Sequence, residues 1–238
     1  MYSVILPMYN ETKIIEATLA SAREYLDRCF PGNYELLLVD DGSTDDSLAA
    51  ARRAAWDRLR IIACTPNRGK GYAIRTGMMK ANGGLIAFTD VDLAYGLEVL
   101  AQGFAVLEAD SSVDAVIGSR KLHPEGYASY PPLRKFLSHS FVAVIKIICR
   151  FKLSDSQSGI KFFRAESARK IFSNCEINRW SFDFEALLTA QALGMKIAEM
   201  PVKIINHRES KMNIVSDSLR MFRDILRIKK NIKKKNLK

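Results

Sequence analysis

The stretch Leu85-Ile-Ala-Phe-Thr-Asp-Val-Asp-Leu93 decides the fold, because an apolar run ends there on two aspartates one residue apart. Residues Leu85–Thr89 predict a strand that is buried on both faces, and a helical pattern begins at Leu97. Asp90 and Asp92 would then stand at the carboxyl end of that strand, where open α/β sheets bind ligands. Such a pair can face one divalent cation whose shell is completed by substrate phosphates, although it can also be only a turn or a helix cap.

The first 120 residues repeat this alternation of short apolar strand and amphipathic helix. The predicted strands are Ser3–Leu6, Tyr34–Val39, Leu59–Ala63, Leu85–Thr89 and Val113–Ile117. The predicted helices are Glu11–Arg28, Asp45–Trp56, Gly71–Ala81 and Leu97–Ala109. This order predicts an α/β fold with a mostly parallel central sheet and helices on both faces.

Polar clusters follow four of these strands, at Pro7–Glu11, Asp40–Asp45, Asn67–Gly71 and Asp90–Asp92. Each cluster alone is compatible with a turn or a helix cap. Parallel strands end at one edge of a sheet, so together the clusters predict one site.

The side chains in these loops suit a nucleoside diphosphate. Asp40 and Asp41 can accept hydrogen bonds from a base or a ribose, Tyr9 offers an aromatic face, and Glu11 can take a second ribose hydroxyl. Arg68 and Lys70 carry the positive charge that a diphosphate requires. The glycine patterns of P-loop ATPases and of dinucleotide-binding dehydrogenases are both missing.

The positive charge is concentrated at the C-terminal end. The net charge is +10, but residues 217–238 contribute nine Lys/Arg against two Asp, which leaves the rest of the chain only about +3. That body is not the basic surface of a nucleic-acid-binding domain. Four scattered cysteines without a Cys-x-x-Cys pair predict reduced thiols in a cytoplasmic protein.

Two segments favour a location on a membrane surface. No apolar run approaches the roughly 20 residues that span a bilayer. Leu133–Phe151 is apolar, helical in pattern and free of acidic residues, so it is either a buried helix or an interfacial one beside an isoprenoid groove. Residues 213–238 predict a basic amphipathic helix and tail, either for anionic lipid or simply as a solvated surface. We therefore expect residues 1–212 to form the main domain, peripheral on the cytoplasmic face of the membrane.

Seven ordered motifs carry a family resemblance. They are VILPMYNE (Val4–Glu11), VDDGSTDDS (Val39–Ser47), NRGKGYAIRTGM (Asn67–Met78), TDVDLA (Thr89–Ala94), GSRK (Gly118–Lys121), DSQSGIKFF (Asp155–Phe163) and RWSFDFEAL (Arg179–Leu187). The first four resemble the inverting family 2 glycosyltransferases with the GT-A fold. The other three resemble one branch, the dolichyl-phosphate (polyprenyl-phosphate) hexosyltransferases, and above all its glucosyl members.

The resemblance implies roles for individual residues. Pro7, Tyr9, Glu11, Asp40 and Asp41 would hold the nucleoside of the nucleotide sugar, which we expect to be UDP-glucose. Apart from the resemblance, we expect the cations Lys70 and Arg120 to bind the same nucleotide sugar. Asp92, with Asp90, would hold Mg²⁺ or Mn²⁺ on the diphosphate. Mannosyl relatives often carry a Gln-His-Pro-like continuation, where this chain has Ala94-Tyr95-Gly96.

The acceptor decides which further residues the reaction needs. A hydroxyl acceptor needs a carboxylate to take its proton, for which Asp183 and Glu185 are candidates, although Ser181 or Asp183 could merely cap a helix. A lipid phosphate is already anionic, so cations matter more, at Arg120, Arg134 and Lys211, with Gln157 as a neutral contact. We expect a polyprenyl phosphate acceptor. A saccharide of a cell-surface polysaccharide, or an inactive membrane-attached binding module, remain alternatives.

Overall fold

The protein, in a computed structural model, is described over residues 1–128, 149, 151–179, 181–206 and 214–237. The strands of its sheet are β1 (Tyr2–Met8), β2 (Tyr34–Asp40), β3 (Leu59–Ala63), β4 (Leu85–Phe88), β5 (Ala115–Ser119), β6 (Lys161–Arg164) and β7 (Ile197–Pro201). The helices are α1 (Ile15–Cys29), α2 (Ser47–Arg53), α3 (Lys70–Lys80), α4 (Glu98–Ala109), α5 (Ala165–Phe172), α6 (Phe182–Ala192) and α7 (Ile214–Lys234). All strands and helices predicted from the first part of the sequence are present.

The sheet is mixed but mostly parallel, with strand order β3-β2-β1-β4-β6-β5-β7. Strands β1 to β4 pair in parallel, as do β5 and β7. Among the strands in the described ranges, only β6 runs the other way, between β4 and β5. The sequence patterns did not predict β6 or β7, and β6 lies between β4 and β5.

Both faces of the sheet are covered, because the strand side chains alternate between two apolar cores. Ile5 enters one core, and its neighbours Val4 and Leu6 enter the other. Helices α3, α5, α6 and α7 cover the first face, while α1, α2 and α4 cover the second. The predicted fold class is thus confirmed.

Helix α7 is part of the first core. Ile225 and Ile228 are fully buried there, with Ile232 partly buried beside them. Among the described helices, none combines the length and the apolar character needed to cross a bilayer. Arg134, Lys211 and nearly all of the Leu133–Phe151 segment lie outside the described residues.

Candidate functional site

The loops after β1, β2, β3 and β4 lie at one edge of the sheet. Met8 pairs with Asp40, and Asp40 pairs with Ala63, so the first three strands end level with one another. Strand β4 ends slightly earlier, with Phe88 opposite Ile5. The structure therefore places the four polar clusters around a common edge, as parallel strands require.

The loop after β1 is held against the loop after β2. The Thr44 amide donates to Asn10 Oδ1 at 2.8 Å, the Asn10 amide donates to Ser43 Oγ at 3.0 Å, and the Glu11 amide donates to Ser47 Oγ at 2.7 Å. Pro7 is buried at the end of β1, whereas Tyr9 is 40% exposed beyond it. The Tyr9 ring is therefore accessible at the edge where a base would stack.

Asp40 and Asp41 each organise a loop. Asp41, only 2% exposed, accepts from the Gly69 amide at 2.6 Å, the Arg68 amide at 3.0 Å and Asn67 Nδ2 at 2.9 Å. Asp40 accepts from the Ser43 amide at 3.1 Å. The bonds of Asp41 fix the loop that leads to Lys70, whereas the bond of Asp40 holds the turn after β2. The contact of both carboxylates with a nucleoside stays a prediction.

Lys70, the first residue of α3, forms an ion pair with Asp90. Burial opposes the charge on the Lys70 ammonium, but the carboxylates of Asp90, Asp183 and Asp92 outweigh it and raise the pKa of Lys70 above its ordinary value. The other Asp90 oxygen faces Gly159, where an added Cβ would lie only 2.2 Å from Asp90 Oδ2. Asp90 is thus confined between a cation and the backbone of the loop before β6.

Asp92 lies two residues further along the same loop. Its Oδ1 accepts from the Ala94 amide at 3.1 Å, and its side chain is partly exposed. Nearby, Asn206 Nδ2 donates to the Leu93 carbonyl at 3.0 Å, which brings the chain after β7 to this loop.

Asp90 and Asp92 fit a Mg²⁺ or Mn²⁺ ion that is shared with a phosphate ligand. Within the described part of the chain there is no group of three or more metal-binding side chains. Mg²⁺ is commonly held by one or two carboxylates and completes its octahedron with water and substrate phosphates. Both carboxylates are partly exposed at the ligand-binding edge, so their chemistry suits that kind of ion.

The structure separates the two candidate carboxylates of α6. Asp183 accepts from Lys161 Nζ at 2.9 Å and lies close enough to Lys70 and Asp90 for their charges to act on it. Burial raises the pKa of Asp183 above its usual value, against the opposing effects of Lys161 and Lys70. Glu185 instead accepts from the amides of Glu176 and Ile177 at 2.9 and 2.7 Å, so it holds the preceding loop. Of the pair, Asp183 belongs to the site.

Arg120 has a protein partner. Its Nε and Nη2 donate to the two oxygens of Asp155 at 2.7 and 2.8 Å, a buried bidentate pair. Burial opposes the charge on Asp155, but Arg120 outweighs it and holds the pKa of that carboxyl below its usual range. Gln157 lies two residues further on, and its backbone amide also donates to Asp155 at 3.0 Å. Arg120 thereby fixes the turn that leads to Gly159, and its predicted contact with a nucleotide sugar stays a prediction.

The sequence patterns assigned no role to three residues whose side chains hold the site together: Asn67, Asp155 and Lys161. Asn67 and Asp155 are recognisable only through their partners, which lie 26 and 35 residues away. Lys161 did leave a signal, because a single charge inside the apolar run Ile160-Lys-Phe-Phe163 is unusual for a buried strand.

Comparison with known proteins gives concordant matches. The model of glycosyl transferase family 2 matches residues 3–172. A dolichyl-phosphate beta-glucosyltransferase of Trichomonas vaginalis is 35% identical, over 94% of this chain and 69% of that protein. The dolichyl-phosphate beta-glucosyltransferase of Mus musculus is 33% identical, over 95% of this chain and 74% of that protein.

Among solved structures, glucosyl-3-phosphoglycerate synthase from Mycobacterium tuberculosis in complex with UDP superposes with a TM-score of 0.73 at 18% identity, over 96% of this chain and 79% of that one. The same enzyme with Mn²⁺, UDP-glucose and glycerol 3-phosphate gives a TM-score of 0.70, over 96% and 78% of the two chains. At this level of identity the likeness is one of fold.

Proposed function

The chain belongs to glycosyl transferase family 2 and has the GT-A fold, and from that premise we propose that it transfers glucose from UDP-glucose to a polyprenyl phosphate such as dolichyl phosphate. The observation that carries the proposal is the meeting of Lys70, Asp90, Asp92 and Asp183 at the carboxyl edge of the sheet. Relatives named for dolichyl-phosphate glucosyl transfer, similar over nearly the whole chain, support this acceptor and this sugar.

The donor half of the site would bind the nucleotide sugar along the loops after β1 to β4. In this proposal Tyr9, Pro7, Glu11, Asp40 and Asp41 hold the nucleoside. Asp92 and Asp90 would hold Mg²⁺ or Mn²⁺, which supplies positive charge to the diphosphate. Lys70 adds a second positive charge at the bond that breaks, where negative charge accumulates on the leaving UDP.

The acceptor half would contain Asp183, together with Arg134, Lys211 and Gln157 from the sequence. An acceptor oxygen attacks the anomeric carbon from the side opposite the diphosphate, which inverts its configuration. A phosphate acceptor is already anionic and needs no strong base, so Asp183 would orient the acceptor or the sugar. Arg134 and Lys211 would offset the acceptor's charge.

A saccharide acceptor is the second candidate, and the pKa of Asp183 favours it. Burial raises that pKa above the usual carboxyl value, which brings Asp183 closer to the range in which a carboxylate removes a proton from a hydroxyl. A cell-surface polysaccharide end would offer such a hydroxyl. The third alternative, an inactive membrane-attached module, predicts nucleotide binding without transfer.

We also propose that α7 brings the protein to the cytoplasmic surface of a membrane, where a lipid phosphate would be reached. Its exposed side carries a row of cations, Arg223, Arg227, Lys230 and Lys234. Anionic lipid attracts such a row with about 1 kcal/mol per well-placed cation.

One experiment tests the function directly. The protein is incubated with UDP-glucose or GDP-mannose, with Mg²⁺ or Mn²⁺, and with either a short polyprenyl phosphate or an oligosaccharide, and glycolipid and extended saccharide are measured. We expect glucosyl lipid only. Extended saccharide without glycolipid would support the second acceptor, and nucleotide binding without any transfer would support the inactive module.

Replacing Asp92 by Asn should abolish transfer, because a neutral amide binds a hard divalent cation far more weakly. The matched control is Asp57→Asn, an exposed aspartate before β3 at the other edge of the sheet, which should leave the rate unchanged. The thermal midpoint of unfolding of both variants should equal that of the wild type. Full activity of Asp92→Asn in metal-depleted buffer would contradict the metal role.

A further inference from the structure

Lys161 is a fully buried lysine that the reaction as described does not use. Its side chain is 0% exposed, at the first residue of β6 and opposite Phe88 of β4. Its ammonium donates to Asp183 Oδ1 at 2.9 Å and to the Ser158 carbonyl at 2.6 Å, and lies 5.4 Å from the centre of the Phe88 ring. The surroundings on the sheet side are aromatic, since Phe88 packs on Phe163 and Phe182.

Stability alone is a poor reason for a charge in this place. Removing an ammonium and a carboxylate from water costs several kcal/mol for each ion, and a well-packed apolar pair of similar volume is often as stable or more stable. The aromatic surroundings would accept such a pair. A function that needs the charge is the stronger explanation.

The two partners of Lys161 belong to different segments, helix α6 and the loop before β6. Asp183, on α6, stands on the acceptor side. Ser158 precedes Gly159, whose backbone packs against the Asp90 carboxylate on the metal side. One ammonium therefore fixes the positions of α6 and of the loop before β6 relative to each other, at the point where donor and acceptor meet.

We propose that Lys161 is a positioning residue of the sugar transfer. It holds the Asp183 carboxylate, and through Ser158 it holds the Gly159 backbone that packs against Asp90. The distance between Asp183 and Asp90 is thereby kept at the value that the reaction needs. This rests on the proposed function. Because its side chain is fully buried, Lys161 would act through these two neighbours and not by contact with the substrate. Because a misplacement of about 1 Å can cost about 100-fold in rate, loss of the ammonium should reduce kcat by that order.

The test uses the full chain with Lys161→Met, which keeps the length of the side chain but removes its charge, and Lys161→Gln in case the first variant does not fold. Transfer from UDP-glucose to polyprenyl phosphate, binding of UDP with Mn²⁺, and the urea midpoint of unfolding are measured. We expect kcat to fall about 100-fold while the Kd for UDP stays near the wild-type value. The urea midpoint should fall as well, because the variant leaves the Asp183 carboxylate buried without the Lys161 ammonium. Lys161→Met should also add little to the loss caused by Asp183→Asn, because both remove the same interaction.

A matched control is Arg60→Met. Arg60 Nη1 donates to the buried Glu35 at 2.6 Å. Both residues lie near the amino ends of their strands, whereas the site lies at the carboxyl ends. This variant should also lower the urea midpoint but leave kcat unchanged, so it separates a loss of stability from a loss of positioning at the site.

Three results would overturn the inference. Wild-type kcat in Lys161→Met, or a loss of UDP binding in parallel with kcat, would reduce Lys161 to a core residue. Fully additive losses in the double variant with Asp183→Asn would remove the proposed link. If instead the wild-type protein transfers sugar to no acceptor, the proposed function itself fails, and this inference fails with it.

Discussion

At the scale of single residues, two lysines form ion pairs with two of the carboxylates of the site. Lys161 is paired with Asp183, and Lys70 is paired with Asp90. Asp92 accepts a hydrogen bond from the Ala94 backbone amide, and its side chain is partly exposed. The ion pair at Asp90 has a consequence for metal binding, because the Lys70 ammonium and a divalent cation would share one carboxylate.

Lys70→Met should therefore change metal and nucleotide binding in opposite directions. Without nucleotide, the variant should bind Mn²⁺ several-fold more tightly, about fivefold, because a competing positive charge leaves Asp90. With Mn²⁺ present, UDP should bind more weakly, since the diphosphate loses the Lys70 charge. Titration of free Mn²⁺ by electron paramagnetic resonance and calorimetry with UDP measure the two effects.

The control for Lys70 is Lys80→Met, at the exposed far end of α3, which should alter neither affinity. Weaker Mn²⁺ binding by nucleotide-free Lys70→Met would contradict the competition between the two cations.

At the scale of elements, the second half of α7 places isoleucines against the protein and basic residues outwards. Ile225 and Ile228 are buried in the core, Ser181 Oγ donates to Asp224 at 2.7 Å, and Lys235 Nζ pairs with Glu176 at 2.7 Å. In the described part of the helix, Ile225 and Ile228 are thus occupied by contacts with the body, and the exposed face carries the cations beside Leu226. Deletion of residues 217–238 would therefore expose core.

Binding of the protein to vesicles that contain phosphatidylserine should accordingly fall steeply with salt, because the charges on the exposed face of α7 are screened. Replacing its cation row by Gln at Arg223, Arg227, Lys230 and Lys234 should weaken vesicle binding by about 1 kcal/mol per residue. Sedimentation with vesicles at rising salt concentrations measures this.

The control variant makes the same change in net charge elsewhere, with Gln at four exposed cations: Lys13, Arg52, Lys80 and Lys152. It should keep most of the vesicle binding. Equal losses in both variants would mean that only net charge matters, and salt-independent binding would contradict an electrostatic contact through α7.

At the scale of the whole molecule, the site depends on β6 and on the segments before β6 and α6 that converge on the parallel half of the sheet. Gly71 and Tyr72, in the first turn of α3, donate to the Asn178 carbonyl at 2.8 and 3.2 Å, so the segment before α6 closes that helix end. The buried pair of Arg120 and Asp155 holds the turn before β6. These contacts join distant parts of the chain, so their loss should lower the free energy of unfolding of the whole domain.

The stability of the fold should depend on pH through Asp155. Its pKa is lowered in the folded protein, so the unfolded chain binds a proton at a higher pH than the folded one does. The contribution of Asp155 is therefore fully present above the ordinary carboxyl pKa of about 4, and it is lost as the pH falls through the lower folded value. Urea unfolding at neutral and at acid pH measures the loss.

Asp155→Asn should lower the free energy of unfolding near neutral pH by about 3 to 5 kcal/mol, since it leaves Arg120 buried without a counter-ion. Its further loss in acid should be shallower than that of the wild type. Asp57→Asn, an exposed site with the same change in charge, should be neutral within about 0.5 kcal/mol at both pH values. An acid loss in Asp155→Asn as steep as in the wild type would contradict the assignment.

The sequence by itself determined the alternation of strands and helices up to β5, the fold class, and the four polar loops at one edge. Each of these follows from patterns among neighbours in the chain: apolar runs, helical spacing, and polar residues where a strand ends. The family motifs also predicted that Asp90, Asp92 and Asp183 belong to the candidate site.

Only the tertiary structure decided what each charged side chain does there. It placed β6 antiparallel between β4 and β5, and with it Lys161 beside Asp183, 22 residues further along the chain. It also showed that Asp41 accepts hydrogen bonds from the Asn67–Gly69 loop and that Arg120 pairs with Asp155. The physical reason is that an ion pair depends on distance in space. No periodicity within either segment encodes which residue of a distant strand will face it.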